Sequence, residues 1–362
     1  KKVPQLLAHF GTSLIERALI DAFCRHKGDT FKSLLQSNAF EIDWDELRPE
    51  LKGLQPKDLF EKQSLDSITI RHTVGLADPL ADCDIPADDR LADGLPQSLE
   101  SCIQFYGVKH FKIKVNGKLA DDVQRLEAIA ALFERLDLSA FAFSLDGNEQ
   151  FHEVETFRTF WDSLRTSESM RCFFDHLLFV EQPFHRDIAL SQEIGDSLKN
   201  WKEAPPIIID ESDNLLESLP RALELGYRGT SHKNCKGVFK GILNRATINF
   251  RNRDSGDEPY LMSGEDLANI GPIANHQDLV VQAALGIQSV ERNGHHYFKG
   301  LSMFDPSIQN EALAASPKLY TRGNGDYTRL DIRNGTLNIE DLVQSPFGVK
   351  TIPSTSGPNF PA

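Results

Sequence analysis

An α/β barrel is the fold class this sequence predicts, and three observations carry it. Short β-branched or aromatic runs alternate with helical stretches from about residue 67 onward. Polar residues at comparable positions near the ends of these runs recur at intervals of 32 (Lys114 to Asp146), 35 (to Glu181), 29 (to Asp210) and 23 (to Lys233). A strand with its following helix needs about 30 residues, so the intervals mark successive βα units. Neither GxGxxG nor a GxxxxGK loop occurs. An open doubly wound sheet would usually place such a phosphate loop after its first strand, which leaves a closed, TIM-type (β/α)8 barrel.

The elements follow in order. Residues 13–36 predict a helix, with Ser13 and Glu16 as a capping box and Ile15, Ala18, Leu19, Ala22 and Phe23 at helical spacing. Residues 37–65, mixed and broken by prolines, predict a connection. Eight strands come next: SITIRHTV, HFKIKV, FAFSLDG, LLFVEQP, PPIIIDES, GTSHKN, YLMSG and IQSVERN. DDVQRLEAIAALFERL and LESLPRALELG are examples of the helices between them.

Composition excludes several function classes. The chain has 362 residues, 40% of them hydrophobic and 25% charged, enough for one large domain and a smaller piece. With 39 basic against 53 acidic residues the net charge is −14, so phosphate backbones and anionic membrane surfaces are repelled. Neither nucleic acid nor a membrane is expected as a partner. Five scattered cysteines with no CxxC pair predict a reducing, cytoplasmic setting and no zinc site. No window approaches the roughly 18 apolar residues of a membrane helix. Glu16, Arg17 and Asp21 interrupt the N-terminal apolar positions, so no signal-peptide core is read there. Asn334-Gly-Thr is read as a chance sequon.

Polar residues at the C-terminal ends of barrel strands face the mouth, where active sites are built. Asp146, Glu181 and Asp210 end three consecutive strands, each after an apolar run. Three carboxylates converging there repel one another, so a cation is required. With oxygen ligands only, and no Cys or His at ligand spacing, the donor set favours Mg2+ over Zn2+. In Phe111-Lys112-Ile113-Lys114-Val115 the alternation places both lysines on one face of a strand that has no freely solvated side. A base at the mouth is the functional expectation for them. Lys233, on the sixth strand, is expected across the barrel from Lys114.

The ordered motifs KIK, LDGN, VEQP, IIDES and HKNCKG resemble the enolase superfamily, in its mandelate racemase/muconate lactonizing enzyme subgroup. The resemblance spans nearly the whole chain. ERALIDAFCRHKGDTFKSLL is similar to the helical part of the family's capping domain, and SPFGVK to its C-terminal return. The implied fold is the modified β7α form of the barrel with a partial helical capping domain. Its expected divisions are 1–65 for the capping part and connection, 66–315 for the barrel, and 316–362 for the returning segment. The resemblance implies Asp146, Glu181 and Asp210 as Mg2+ ligands, Lys114 and Lys233 as the acid/base pair, and Lys112 as an electrostatic aid.

The implied chemistry is removal of the proton α to the carboxylate of a small carboxylic acid, through an ene-diolate. Metal-assisted charge stabilisation with a Lys or His base is the general pattern of that superfamily. Racemisation or epimerisation, cycloisomerisation and β-elimination all fit, so the chain reads as an isomerase or a lyase. Two alternatives stay open: a catalytically silent relative that binds or assembles, and a Schiff-base lysine enzyme. A homo-oligomer is also left open.

Several positions depart from the pattern or refine it. The family's capping domain begins with antiparallel strands and a mobile loop, whereas this chain starts in helices, so substrate choice is not read. The interval from Lys233 to Gly237 is one residue shorter than the family's, which makes Lys236 a rival to Lys233. SVERN on the eighth strand lacks the Asp-x-Asp of dipeptide epimerases. Glu265 either binds substrate, neutralises a lysine or is a plain loop acid. Asn148, Gln182 and Glu211 are expected to support the ligands beside them, Glu211 through a mouth lysine. His232 should pack on the opposite face of its strand from Lys233, and His295 and His296, read as strand neighbours, should point apart.

Overall fold

The structure, a computed structural model, describes residues 5–166, 168–256, 258–323 and 327–351. Eight strands appear where the sequence expects them: β1 Ser67–Val74, β2 His110–Lys114, β3 Ala142–Asp146, β4 Leu177–Glu181, β5 Ile207–Ile209, β6 Gly229–His232, β7 Leu261–Glu265 and β8 Ser289–Glu291. They are hydrogen-bonded in chain order and β1 also pairs with β8, which closes the barrel. Two helices precede it, α1 Gln5–Lys27 and α2 Phe31–Gln36. The principal helices after the successive strands are α3 Leu99–Tyr106, α4 Leu119–Arg135, α5 Val154–Leu164, α6 Gln192–Asn200, α7 Ser218–Leu225, α8 Val238–Arg251, α9 Ala274–Ala284 and α10 Pro306–Ala315. Three short strands, β9 Tyr320–Arg322, β10 Thr328–Leu330 and β11 Thr336–Asn338, and a turn of helix, α11 Glu340–Val343, complete the described chain. Among the described residues no helix is long and apolar enough to cross a membrane.

Contacts divide the chain into two compact units: Arg71–Ser231, and the residues up to Ile70 together with those from His232 on. In the first, strand alternation separates two kinds of side chain. Phe111 and Phe143 pack outward on the helical layer, with ring centroids 4.6 Å from Phe133 of α4 and 4.4 Å from Phe173 respectively. Each fully buried ring contributes about 1.5–3 kcal/mol. Lys112, Ser144 and Asp146 take the opposite face. Ile207, Ile208 and Ile209 are all buried, as a parallel strand covered on both sides requires.

In the second unit α1 corrects the expected helix over 13–36. Ser13 does not cap its start: α1 already runs from Gln5, and the Ser13 hydroxyl donates to Phe10 O four-tenths of the way along it. The helix ends at Lys27, and a separate α2 is capped by Thr30. Glu16 instead serves another helix, accepting from the backbone N–H groups of Val238 (2.7 Å) and Phe239 (3.0 Å) at the start of α8. A carboxylate there satisfies two otherwise orphaned donors and faces the positive end of the helix dipole. Neighbouring Arg17 donates to Gln277 Oε1 and Ala274 O of α9, so consecutive residues pin α1 to two helices.

Three further expectations need amendment. The stretch 37–65 is not a plain connection, for it holds short helices at Trp44–Leu47 and Pro56–Leu59. The C-terminal segment is richer than expected, because β11 pairs antiparallel with the start of β1, Ser67 opposite Asn338. Of the segment 316–362, residues 324–326 and 352–362 lie outside those described. His295 and His296 are not on a strand; β8 stops at Glu291 and both sit on a helical turn, Gly294–Tyr297.

Glu16→Ala is expected to lower stability by about 1–2 kcal/mol, the scale of losing a helix cap, with a matching fall in the urea midpoint. Glu16→Gln, which keeps the acceptor without the charge, should recover part of that loss.

Candidate active site

Strand register assembles the acid cluster within Arg71–Ser231. Lys114 stands opposite Asp146, and Asp146 opposite Glu181, so three charged side chains lie level. Glu181 stands opposite Ile208, and Asp210, two residues further, shares that face. Asp146, Glu181 and Asp210 are 1%, 0% and 2% exposed. Carboxylates this deeply buried demand cationic or hydrogen-bonding partners.

The two lysines of the KIK motif meet that demand differently. Lys112 is 1% exposed and bridges the acids, its Nζ 2.9 Å from Asp146 Oδ2 and 3.2 Å from Glu181 Oε2. Lys114 lies 2.5 Å from the same Asp146 oxygen and 2.7 Å from Asn148 Oδ1, with its side chain 24% exposed. Lys112 is therefore a fixed buried charge. Lys114 is the amine that solvent or a substrate can reach.

The expected supporting residues are placed around these groups. Asn148 donates from its backbone to Asp146 Oδ1 (2.9 Å) and from its side chain to Glu211 Oε1 (3.4 Å). Gln182 is a knot between strand ends: its amide donates to Phe184 O and Ser212 Oγ, and its oxygen accepts from the backbones of Asp210 and Ser212. Asn148 and Gln182 both occupy the left-handed region, with φ of 39° and 38°, a strained conformation held here by those hydrogen bonds. Gly147, between two site residues, has no room for a side chain: a Cβ would stand 2.7 Å from Pro183 Cα.

The donor set fits a hard divalent cation. Asp146, Glu181 and Asp210 are buried together and offer only oxygen atoms, the ligand type such a cation takes. Asp146, Glu181 and Asp210 are the residues that would hold it.

The other expected residues lie in the second unit. Lys233, immediately after β6, forms an ion pair with Glu265 at the end of β7, 2.5 Å from Nζ to Oε2, both side chains 14% exposed. Its rival Lys236 is 5% exposed on the 3-10 turn Asn234–Lys236. His232 is buried, its ring nitrogen 3.0 Å from Asn234 Oδ1, and it fills the space a side chain at Gly241 of α8 would need.

Sequence reasoning missed a buried network just beyond β7 and β8. Arg292 pairs with Asp266, which also accepts from Asn275; Asp278 accepts from Asn269 (2.6 Å) and lies 3.7 Å from Arg17. Burial pushes the Asp266 carboxyl up to about 6, against the pull of Arg292, and the Asp278 carboxyl up to about 7, against that of Arg17. Burial also drives His276 down to about 3. The available signal was position: Asp266 and Arg292 each directly follow a strand-end acid, Glu265 and Glu291.

No protein-family model matches the chain, and no curated protein matches it as a relative. Solved structures do resemble it. An isomerase from Streptomyces coelicolor A3(2) aligns over 96% of this chain and 73% of its own, at TM-score 0.56 and 14% identity. An enolase from Bradyrhizobium complexed with magnesium and mandelic acid aligns over 91% and 66%, at 0.52 and 14%. A mandelate racemase/muconate lactonizing enzyme from Roseiflexus sp. aligns over 81% and 67%, at 0.50 and 16%.

The chain shares the barrel fold of these solved structures. The Roseiflexus structure carries the name of the mandelate racemase/muconate lactonizing enzyme group that the strand-end motifs resemble. The chain spans about two thirds of the length of the solved enolase and racemase structures it matches. At such identities the likeness carries the fold alone, and the reaction has to be argued from residues.

Two outcomes follow from the electrostatics. Lys112→Met removes one ammonium from between buried acids, so metal-free stability is expected to fall by about 3–5 kcal/mol, with added Mg2+ restoring part of it in thermal unfolding. Asp266 and Asp278 have folded pKa values above their unfolded ones, so the native state holds protons that the unfolded chain releases. Their stabilisation is full below about pH 4 and is lost as pH rises through 6 to 7. His276 works oppositely below about pH 6.5. The stability difference between wild type and Asp278→Asn isolates the acid: it should shift in favour of wild type as pH falls from 8 to 5.5, by up to about 1.4 kcal/mol per pH unit, and a flat difference would contradict the assignment.

Proposed function

We propose that this protein is a Mg2+-dependent enzyme that removes the proton α to the carboxylate of a small carboxylic acid. The observation that carries this is the division of labour in the KIK motif: Lys112 buried against Asp146 and Glu181, Lys114 beside the same Asp146 but open to solvent. A purely structural ion pair has no need of the second, accessible amine.

A proton α to a carboxylate is too weakly acidic for an amine alone, and a bound Mg2+ supplies Lewis-acid stabilisation of the substrate carboxylate worth several kcal/mol. The chain's own groups do the rest. Lys112 adds a positive charge that is already oriented, so it costs no reorganisation as negative charge develops. Asn148 Oδ1 and Asp146 Oδ2 aim the Lys114 amine. Lys114 takes or returns the proton. Lys233, paired with Glu265, is the second acid/base group of the proposal. Racemisation or epimerisation, cycloisomerisation and β-elimination all use this first step.

Incubation with a panel of carboxylic acids in D2O and Mg2+ tests this by mass spectrometry. Wild type is expected to place deuterium at the α-carbon of at least one acid, and EDTA to stop it. Lys114→Ala should lower exchange by about 10²–10⁴-fold, as should Lys233→Ala for a two-base reaction, while Lys236→Ala leaves it nearly unchanged. Undiminished exchange in EDTA, or borohydride trapping of a carbonyl substrate on a lysine, would replace this reading with Schiff-base chemistry.

A further inference from the structure

We propose that a cavity between α2, the segment leading into β1 and α11 binds a small phosphorylated molecule. The cavity holds about 940 Å3, within the size range of ligand pockets, and is lined by polar side chains that include Lys32, Lys57 and Lys62. All of these elements belong to one compact unit, that of the residues up to Ile70 and from His232 on. Neither the strand-end acids nor the amines of the proposed reaction line it.

Charge is the reason to expect an anion. In a chain of net charge −14, this wall carries three lysines, none of which has a carboxylate within ion-pair distance among the described residues. Lys32 is the telling one. It is 7% exposed, its Nζ donates to the Ala284 carbonyl at 2.8 Å, and it lies over the ring of Phe60, 5.5 Å away. An ammonium this buried normally has a counter-ion.

Burial is the main cost to the Lys32 charge; Glu61 offsets part of it, and Arg245 of α8, also desolvated, acts on Lys32 as a smaller, like charge. Burial, with Arg245 adding to it and Glu61 opposing, brings Lys32 down to about 8. Two acids share the cavity wall, but Glu340 is already engaged by Lys318 (2.6 Å) and Gln344 (3.2 Å), which leaves Asp66. Three lysines therefore face one unneutralised carboxylate. The Ser64 hydroxyl, buried on the same wall, has no hydrogen-bond partner among the described residues.

A phosphoryl group satisfies these groups together. Its oxygens accept from several ammonium groups at once, and charge-assisted bonds of this kind are the strong ones. The volume beyond the phosphoryl group suits a polar body such as a sugar. A monocarboxylate offers fewer acceptors and a single charge. The binding step is non-covalent, so no co-reactant is called for.

Titration calorimetry at constant ionic strength, with EDTA present and with inorganic phosphate and ribose 5-phosphate as probes, tests the proposal. Saturable binding is expected, with ribose 5-phosphate tighter than phosphate. The double variant Lys57→Gln/Lys62→Gln, both exposed positions that leave the fold intact, should weaken it at least about tenfold. Lys32→Met should weaken it further, and Asp66→Asn, which removes the opposing charge, should tighten it. No saturable binding of either probe by wild type overturns the site. So does affinity in the double variant equal to that of wild type, which remains decisive where Lys32→Met fails to fold.

Discussion

Buried like charge is the constraint on which the unit Arg71–Ser231 depends. Asp146, Glu181 and Asp210 are almost without solvent, and water cannot screen their repulsion. Lys112 offsets much of it by lying between the first two at hydrogen-bond distance. The local backbone serves the same end. Parallel pairing brings Asp146 and Glu181 level, Gly147 lets the chain pass close to Pro183, and Gln182 ties Asp210 to the neighbouring strand by accepting its backbone N–H. Each of these features is costly alone, and together they hold three acids in one place.

In the other unit the ordering of α1 has the same character. Glu16 and Arg17 are adjacent residues of one helix, yet they engage the N-terminus of α8 and the side of α9. Burial raises the Glu16 pKa, with the two backbone N–H groups pulling the other way. Helix placement here rests on charge meeting orphaned backbone groups as much as on apolar packing. That matters for α1, which leaves Leu7, Leu14, Ile15 and Leu19 exposed and so draws less than usual from hydrophobic burial.

The strands and the acids at their ends were legible in the sequence because both are local. A strand buried on two faces reads as an unbroken apolar run, and Ile207-Ile208-Ile209 shows it plainly. An acid that ends such a run is conspicuous without knowledge of its neighbours. What failed was whatever depends on distant partners. Glu16 fits a capping box three residues from Ser13, but its acceptor role is filled 222 residues away. The three-residue strand β11 is stable only because β1 is there to receive it, so its own sequence carries little signal. The different burial of Lys112 and Lys114 was also hidden, since alternation gives them the same face and says nothing of depth.

Two buried lysines illustrate how far the surroundings, and not the residue type, decide function. Lys112 and Lys32 are equally unwelcome in a dry interior by transfer energy. Lys112 lies against two carboxylates, so its charge is spoken for and it holds the acids together. Lys32 has a carbonyl and an aromatic ring at close range, and Glu61 opposes the cost of its burial without forming an ion pair with it among the described residues. The carbonyl and the ring are weak compensation for a desolvated ammonium, because neither carries a formal negative charge. The Lys112 environment supplies its counter-charges at hydrogen-bond distance, and the Lys32 environment does so only at longer range, which is the difference on which the proposal of an anionic ligand rests.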